Sequence, residues 1–249
     1  MDEEHHKVER IAKVMARAGL CSRREAEAWI AQGRVRVNGK VLDGPAVKVS
    51  REDRVEVDGK ALGRAEATRL FLYHKPVGLV STHKDERGRA TVFENLPDDL
   101  PRVVSVGRLD LNTEGLLLLT NDGDLARYLE LPATGWSRRY RVRVLGRVDE
   151  GALKGLKGGI TVEGVHYRSI DAKLEREKEG ANRWISIVLR EGKNREIRRV
   201  MEALGLQVNR LIRTGYGPFE LGKLQSGAAY EVEEKVLKAQ IQGYFKDRE

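Results

Sequence analysis

Four consecutive leucines, Leu116 to Leu119, constrain this chain more than any other feature. They stand between Glu114-Gly115 and the polar stop Thr120-Asn121-Asp122-Gly123, so they read as a short buried segment ending at a turn. Just upstream, Gly107-Arg108-Leu109-Asp110 sets a basic–apolar–acidic triplet after a glycine. A carboxylate at the mouth of a rigid buried segment can stand at the edge of a pocket. An Asp beside an Arg can equally form a local ion pair or a cap, and the residue types leave that choice open.

A chain of 249 residues can build one large domain or a large and a small one. With a net charge of +8 and 40% hydrophobic residues it is expected to be folded and basic. That bias favours polyanions, with nucleic acid first and an anionic membrane surface second. The single Cys21 excludes an intrachain disulfide framework and a thiolate metal cluster. No charged-then-apolar leader opens the chain and no apolar run approaches membrane length, so the expected setting is cytoplasmic and away from membranes. His5 and His6 lack the companions of a metal site, and neither a phosphate loop nor a zinc spacing is present. No metal or other cofactor is expected.

Lys7 to Ala18 carries Val8, Ile11, Val14, Met15 and Ala18 at helical spacing. After the break at Gly19-Leu20-Cys21, Ser22 followed by Glu25 predicts a capping box for a second helix reaching about Gln32. Gly33 to Val41 predicts a strand, an Asn38-Gly39 hairpin turn and a return strand, with residues 47–49 and 54–59 extending the same sheet. Between Arg10 and Lys40 lie eight basic residues against only Glu25 and Glu27. Arg17, Arg23, Arg24 and Arg34 flank the turns, where they can converge on RNA phosphates or simply form a solvated basic surface.

Residues 62–69 read as a linker, and residues 70–249 as a larger α+β domain with a mixed or antiparallel sheet. Leu70 to Tyr73 begins a strand that Lys75-Pro76-Val77-Gly78 turns, with Leu79 to Thr82 resuming it. Arg138 to Val144 alternates with period two, and Trp184 to Leu189 is an apolar strand. Lys173 to Ala181 reads as a charged hairpin-like excursion. Glu191 to Met201 starts as a turn and becomes a helix burying Ile197, Val200 and Met201. Gly215 to Leu221 reads as a glycine-rich loop, and Glu233 to Phe245 as an amphipathic helix.

Residues 7–61, through Ser22-Arg23-Arg24-Glu25-Ala26 and Gly33-x-Val35-x-Val37-Asn38-Gly39, resemble the S4 RNA-binding module. The remainder resembles the S4-domain-bearing bacterial ribosomal RNA pseudouridine synthases. That likeness rests on Gly107-Arg108-Leu109-Asp110, on Thr113-x-Gly115 with the leucines through Gly123, and on Tyr73-x-Lys75-Pro76-x-Gly78. It rests also on the Arg139-Tyr140-x-Val142 strand and on Glu191-Gly192-Lys193-Asn194-Arg195-Glu196-Ile197-Arg198-Arg199. Among the family's branches the Arg89-x-Thr91-Val92-Phe93 segment and Tyr216-Gly217 are most similar to the enzymes of large-subunit (23S) rRNA.

The resemblance implies a uridine isomerase of ribosomal RNA, a monomer, with Asp110 as the essential nucleophile. It assigns Tyr140 to stacking on the extruded uracil and Arg198 to pairing with Asp110. Arg195 and Arg199 are competing choices for that partner, or phosphate contacts. Arg108 would fill the gap left in the RNA stack, and Leu211 would pack on the target base. Lys75 would contact RNA or position the catalytic loop. A small-subunit (16S) target, another large-subunit site, or a non-catalytic rRNA-binding role are the alternatives.

Overall fold

The computed structural model describes residues 8–175 and 182–246. His5, His6 and the end of the Lys173–Ala181 excursion lie outside the described residues. The chain divides into two compact units, one of residues up to Thr68 with 101–103 and 121–123, the other of 69–100, 104–120 and 124 onward.

In the first unit a strand, Glu9–Arg10, precedes the first helix, Ile11–Arg17. The helix therefore starts later than its apolar spacing suggests, because residues 9 and 10 pair with Val49 and Lys48. The second helix, Arg23–Ala31, opens on the expected capping box: Ser22 Oγ accepts from the Glu25 amide, and Glu25 accepts from the Ser22 amide. Asn38 and Gly39, both at positive φ, turn Val35–Val37 into Lys40–Val41. Val55–Val57 joins that sheet, but Lys48–Val49 does not; it forms a separate ladder with Glu9–Arg10. Ile11, Met15, Cys21, Ala26, Ile30 and Val35 close the core of this unit, which makes Cys21 a packing residue.

The second unit is built on one sheet. Its order is Ile170–Leu174, Asn182–Leu189, Arg138–Leu145, Gln207–Tyr216, Glu114–Thr120, Leu70–Lys75 and Ala229–Glu231. Every pairing is antiparallel except that of Gln207–Tyr216 with Glu114–Thr120, at the sheet's centre. The leucine run lies in this central strand with all four side chains fully buried, as a strand covered on both faces must. Arg138–Leu145 alternates as its pattern predicts, Val142 and Val144 being buried while Arg139, Arg141 and Arg143 are half-exposed.

Three local expectations are corrected. Residues 79–82 form no strand, only a bridge between Val80 and Thr91. The glycine-rich stretch after Gly215 is a hairpin, since Phe219–Glu220 folds back on Gly215–Tyr216. The C-terminal amphipathic segment is two helices, Glu234–Gln240 and Gln242–Lys246. Among the described residues, no helix is long and apolar enough to cross a membrane.

Candidate active site

Register aligns four residues on adjacent strands across the middle of the sheet. Tyr140 pairs with Arg213, Arg213 with Gly115, and Gly115 with Lys75. The loop carrying Asp110 enters the sheet at this row. Gly115 cannot be another residue: its φ is +104°, and a Cβ would lie 2.3 Å from the Arg213 carbonyl oxygen. The missing side chain lets the one parallel pairing close.

The loop is held by its backbone, carbonyl by carbonyl. Ser81 Oγ donates to the Leu109 oxygen at 2.9 Å and accepts from the Leu109 amide at 3.2 Å. Lys75 Nζ donates to the oxygens of Asp110 (3.2 Å), Thr113 (2.9 Å) and Pro76 (3.0 Å). The Gly78 amide donates to the Leu111 oxygen at 2.9 Å, and Arg198 Nη2 to the Asn112 oxygen at 2.7 Å. The Thr113 amide returns to the Asp110 oxygen at 3.0 Å, closing a turn. Every carbonyl from Leu109 to Thr113 thus has a donor. The Asp110 side chain is different: half-buried, it takes part in no hydrogen bond or ion pair among the described residues. A rigid loop presenting an uncommitted carboxylate is the arrangement that a positioned nucleophile requires.

The basic residues divide by what they do. Lys75 is fully buried, so contact with RNA is corrected: its ammonium holds the loop from beneath. Burial pushes its pKa down to about 8; Asp110 and Glu114 oppose that, and the Arg213 cation adds to it. Arg198 does not form the expected ion pair with Asp110, because its guanidinium is bonded to the Asn112 and Val208 carbonyls. Burial and the neighbouring Arg195 cation lower its pKa, while the Asp110 charge raises it. Arg195 is exposed and caps the Glu196–Ala203 helix in a left-handed conformation, φ 51°. Arg199 is half-exposed.

Arg108 is exposed and has no partner among the described residues, and it lies just after Gly107, whose amide donates to Glu130 Oε1 at 2.7 Å. Arg108 and Asp110 therefore do not pair, although only Leu109 separates them. Tyr140 is half-buried against the core that contains Val142, Leu211 and Ile197. Leu211 is 5% exposed, two residues before Arg213 on the same strand.

Sequence reasoning missed Ser81, Arg213 and the Glu114–Arg210 pair. Arg213 is buried, donates to the Leu116 oxygen at 2.6 Å and lies over the Tyr216 ring. Arg210 grips both oxygens of Glu114, tying the loop's exit to the neighbouring strand. Nothing local in the sequence distinguishes Ser81. Glu196 was also passed over: it is buried beside Glu191, and burial with that like charge raises its pKa to about 7. The pair braces the turn that leads to Arg198, with Glu196 accepting from the Lys193 amide and Glu191 from the Arg168 amide.

In the first unit, Arg23 and Arg24 are exposed at the start of the second helix. Arg17 instead turns inward to the Glu66 oxygen and Thr68 Oγ1. Arg34 is held by both oxygens of Asp58 and lies over the Trp29 ring. Among the described residues, no group of three or more His, Cys, Asp or Glu is placed to hold a metal ion.

A small helix–strand domain ahead of a mixed-sheet domain with a carboxylate loop at its centre defines the class, an S4 module joined to a pseudouridine synthase fold. Residues 9–55 match the S4 domain and residues 69–203 the RNA pseudouridylate synthase family. An RNA pseudouridine synthase of Rickettsia felis is 47% identical over 230 residues, covering 92% of this chain and 99% of that protein. The ribosomal large subunit pseudouridine synthase B of Yersinia pestis is 45% identical over 223 residues, covering 86% of this chain and 69% of that one. A crystal structure of a pseudouridylate synthase superposes with a TM-score of 0.65 at 26% identity, covering 93% and 99% of the two chains. This chain belongs to the S4-domain-containing RNA pseudouridine synthase family.

Proposed function

We propose that the protein isomerises a specific uridine of large-subunit (23S) rRNA to pseudouridine, with Asp110 as nucleophile. The observation that carries this is the contrast within one loop: its backbone is bonded throughout, and the Asp110 carboxylate is left uncommitted. The large-subunit target is supported by the relatives of that name, 42–45% identical. A different large-subunit site or a small-subunit (16S) site is the second reading.

Asp110 attacks the extruded uridine at C1′ or C6. The bond from C1′ to N1 breaks, the base rotates, and C1′ joins C5. The proton leaves C5 and N1 ends protonated, so atoms balance without an oxidant or a second substrate. Tyr140 stacks on the freed base and carries the C5 proton. Arg198 and Lys75 act through the loop they hold and supply positive potential near the carboxylate. Arg108 enters the space that the uridine leaves, Leu211 lies under the base, and Arg195 and Arg199 take phosphates. Arg23 and Arg24, exposed in the S4 domain, add RNA affinity. The protein works as a cytoplasmic monomer on rRNA or an assembly intermediate.

The test is incubation with unmodified 23S and 16S transcripts, followed by mapping of the reverse-transcription stops left by alkali-resistant carbodiimide adducts. One new stop on the 23S transcript is expected. No stop on either transcript, when both are bound, would remove the enzymatic reading; a stop on 16S alone would move the target.

A further inference from the structure

The segment between Val80 and Thr91 is a closed loop whose ends meet. The Val80 amide donates to the Ala90 oxygen, the Val92 amide to the Val80 oxygen, and Val80 bridges Thr91. Its interior is organised by Asp85, whose carboxylate accepts from the Arg87 and Arg89 amides and from the Arg89 guanidinium. Thr82 Oγ1 donates to the Lys84 oxygen. Thr91 and Glu94 bond each other's amides in a reciprocal cap beyond it. A compact surface loop so fully bonded within itself is pre-organised for contact.

Two features say what it contacts. Exposed His83 lies flat on Phe93, with ring centroids 3.5 Å apart and 16° between planes. Lys84 and Arg87 of the same loop are exposed. Since Asp85 is engaged by Arg89, these two cations outnumber the one remaining acid of the loop, Glu86. Aromatic surface with adjacent cations is the chemistry that takes unpaired nucleotides, the base by stacking and the backbone by charge. The loop is also tied to the catalytic one, because Ser81, two residues before His83, makes both bonds to Leu109, next to Asp110. Along that path three covalent links and the Ser81–Leu109 hydrogen bonds join His83 to Asp110, so the two loops are held together.

We propose that the loop of residues 81–93 is a recognition rim, taking an unpaired RNA base on the His83–Phe93 stack and its phosphates on Lys84 and Arg87. It rests on the reading of Asp110 as the reacting group, and it assigns to the rim the choice of which uridine reaches it. Steady-state kinetics and filter binding on the 23S transcript, with mapped pseudouridine as product, test it. His83→Ala is expected to raise KM and Kd about tenfold with kcat within about twofold, the scale of one lost base stack. His83→Phe, which keeps an aromatic face, restores both. The double variant Lys84→Ala/Arg87→Ala lowers the salt slope of binding by about one to two. Unchanged KM, Kd and salt slope in these variants would overturn the rim, as would a His83→Phe protein as weak as His83→Ala. A wild type that makes no pseudouridine, while His83→Ala still loosens the transcript and His83→Phe restores it, would sink the isomerase reading and leave the rim standing.

Discussion

The ammonium of Lys75 lies 3.2 Å from the backbone oxygen of Asp110 and bonds that oxygen, while the Asp110 carboxylate remains uncommitted. Position and reactivity of the aspartate are thereby separated: neighbouring elements hold its main chain, and its side chain is left for the substrate.

Lys75→Met should lower kcat about 100-fold, the cost of misplacing a reacting group by about an ångström, with RNA affinity little changed. Three carbonyls lose their shared donor. Single-turnover rates and filter binding give the two quantities; a variant with wild-type rates would show that the loop holds itself.

The same residue sets a pH limb. Its folded pKa is about 8 against an ordinary 10.5, so between those values the unfolded chain binds the proton that the folded one has released. The burial penalty is fully present below pH 8 and is relieved toward pH 10.5, so this group's contribution to stability rises with pH there. Activity should move the other way, falling above pH 8 as the ammonium loses a donor and its charge. Thermal melts and rates measured together on wild type and Lys75→Met check this, and the alkaline fall must be absent from the variant's residual activity.

Asp110→Asn is expected to abolish pseudouridine formation while shifting stability by no more than about 0.5 kcal/mol, since the carboxylate makes no bond among the described residues. Denaturant titration supplies the second number. A large loss of stability would mean that Asp110 is structural.

Arg198→Lys should lower kcat tenfold or more with RNA affinity little changed, because a lysine cannot reproduce the planar fork bonded to the Asn112 and Val208 oxygens. Single-turnover rates and filter binding check this; wild-type rates in the variant would remove Arg198 as a loop anchor.

Glu196 predicts a stability effect of opposite sign to that of Lys75. With a folded pKa raised to about 7 from 4.5, the folded chain binds more protons across that window. Its contribution therefore declines as pH climbs from 4.5 to 7. In Glu196→Gln the decline should flatten, read as Tm against pH. Parallel curves for the two proteins would remove Glu196 as its source.

Local chemistry made much of this molecule legible. The Ser22–Glu25 capping box, the Asn38-Gly39 turn, the alternating Arg138–Val144 strand and the buried leucines depend on residues a few positions apart, and the structure contains them all. Other errors came from partners far away in sequence. Lys48–Val49 left the expected sheet because Glu9–Arg10 was available to pair. The bonds of Arg17 to Thr68 and of Arg34 to Asp58 likewise follow from no local pattern.

The stretch Gly107-Arg108-Leu109-Asp110 marks the division most clearly. By itself the sequence determined that a carboxylate stands at the mouth of a buried strand, beside an arginine and after a glycine. Only the tertiary structure decided that Arg108 does not pair with it, that Lys75 is inside, and that Arg198 holds the Asn112 carbonyl. The reason is physical. A turn or a period is fixed by neighbours along the chain, but the use made of a cation depends on which carbonyl, carboxylate or solvent the folded strands bring within about 3 Å of it.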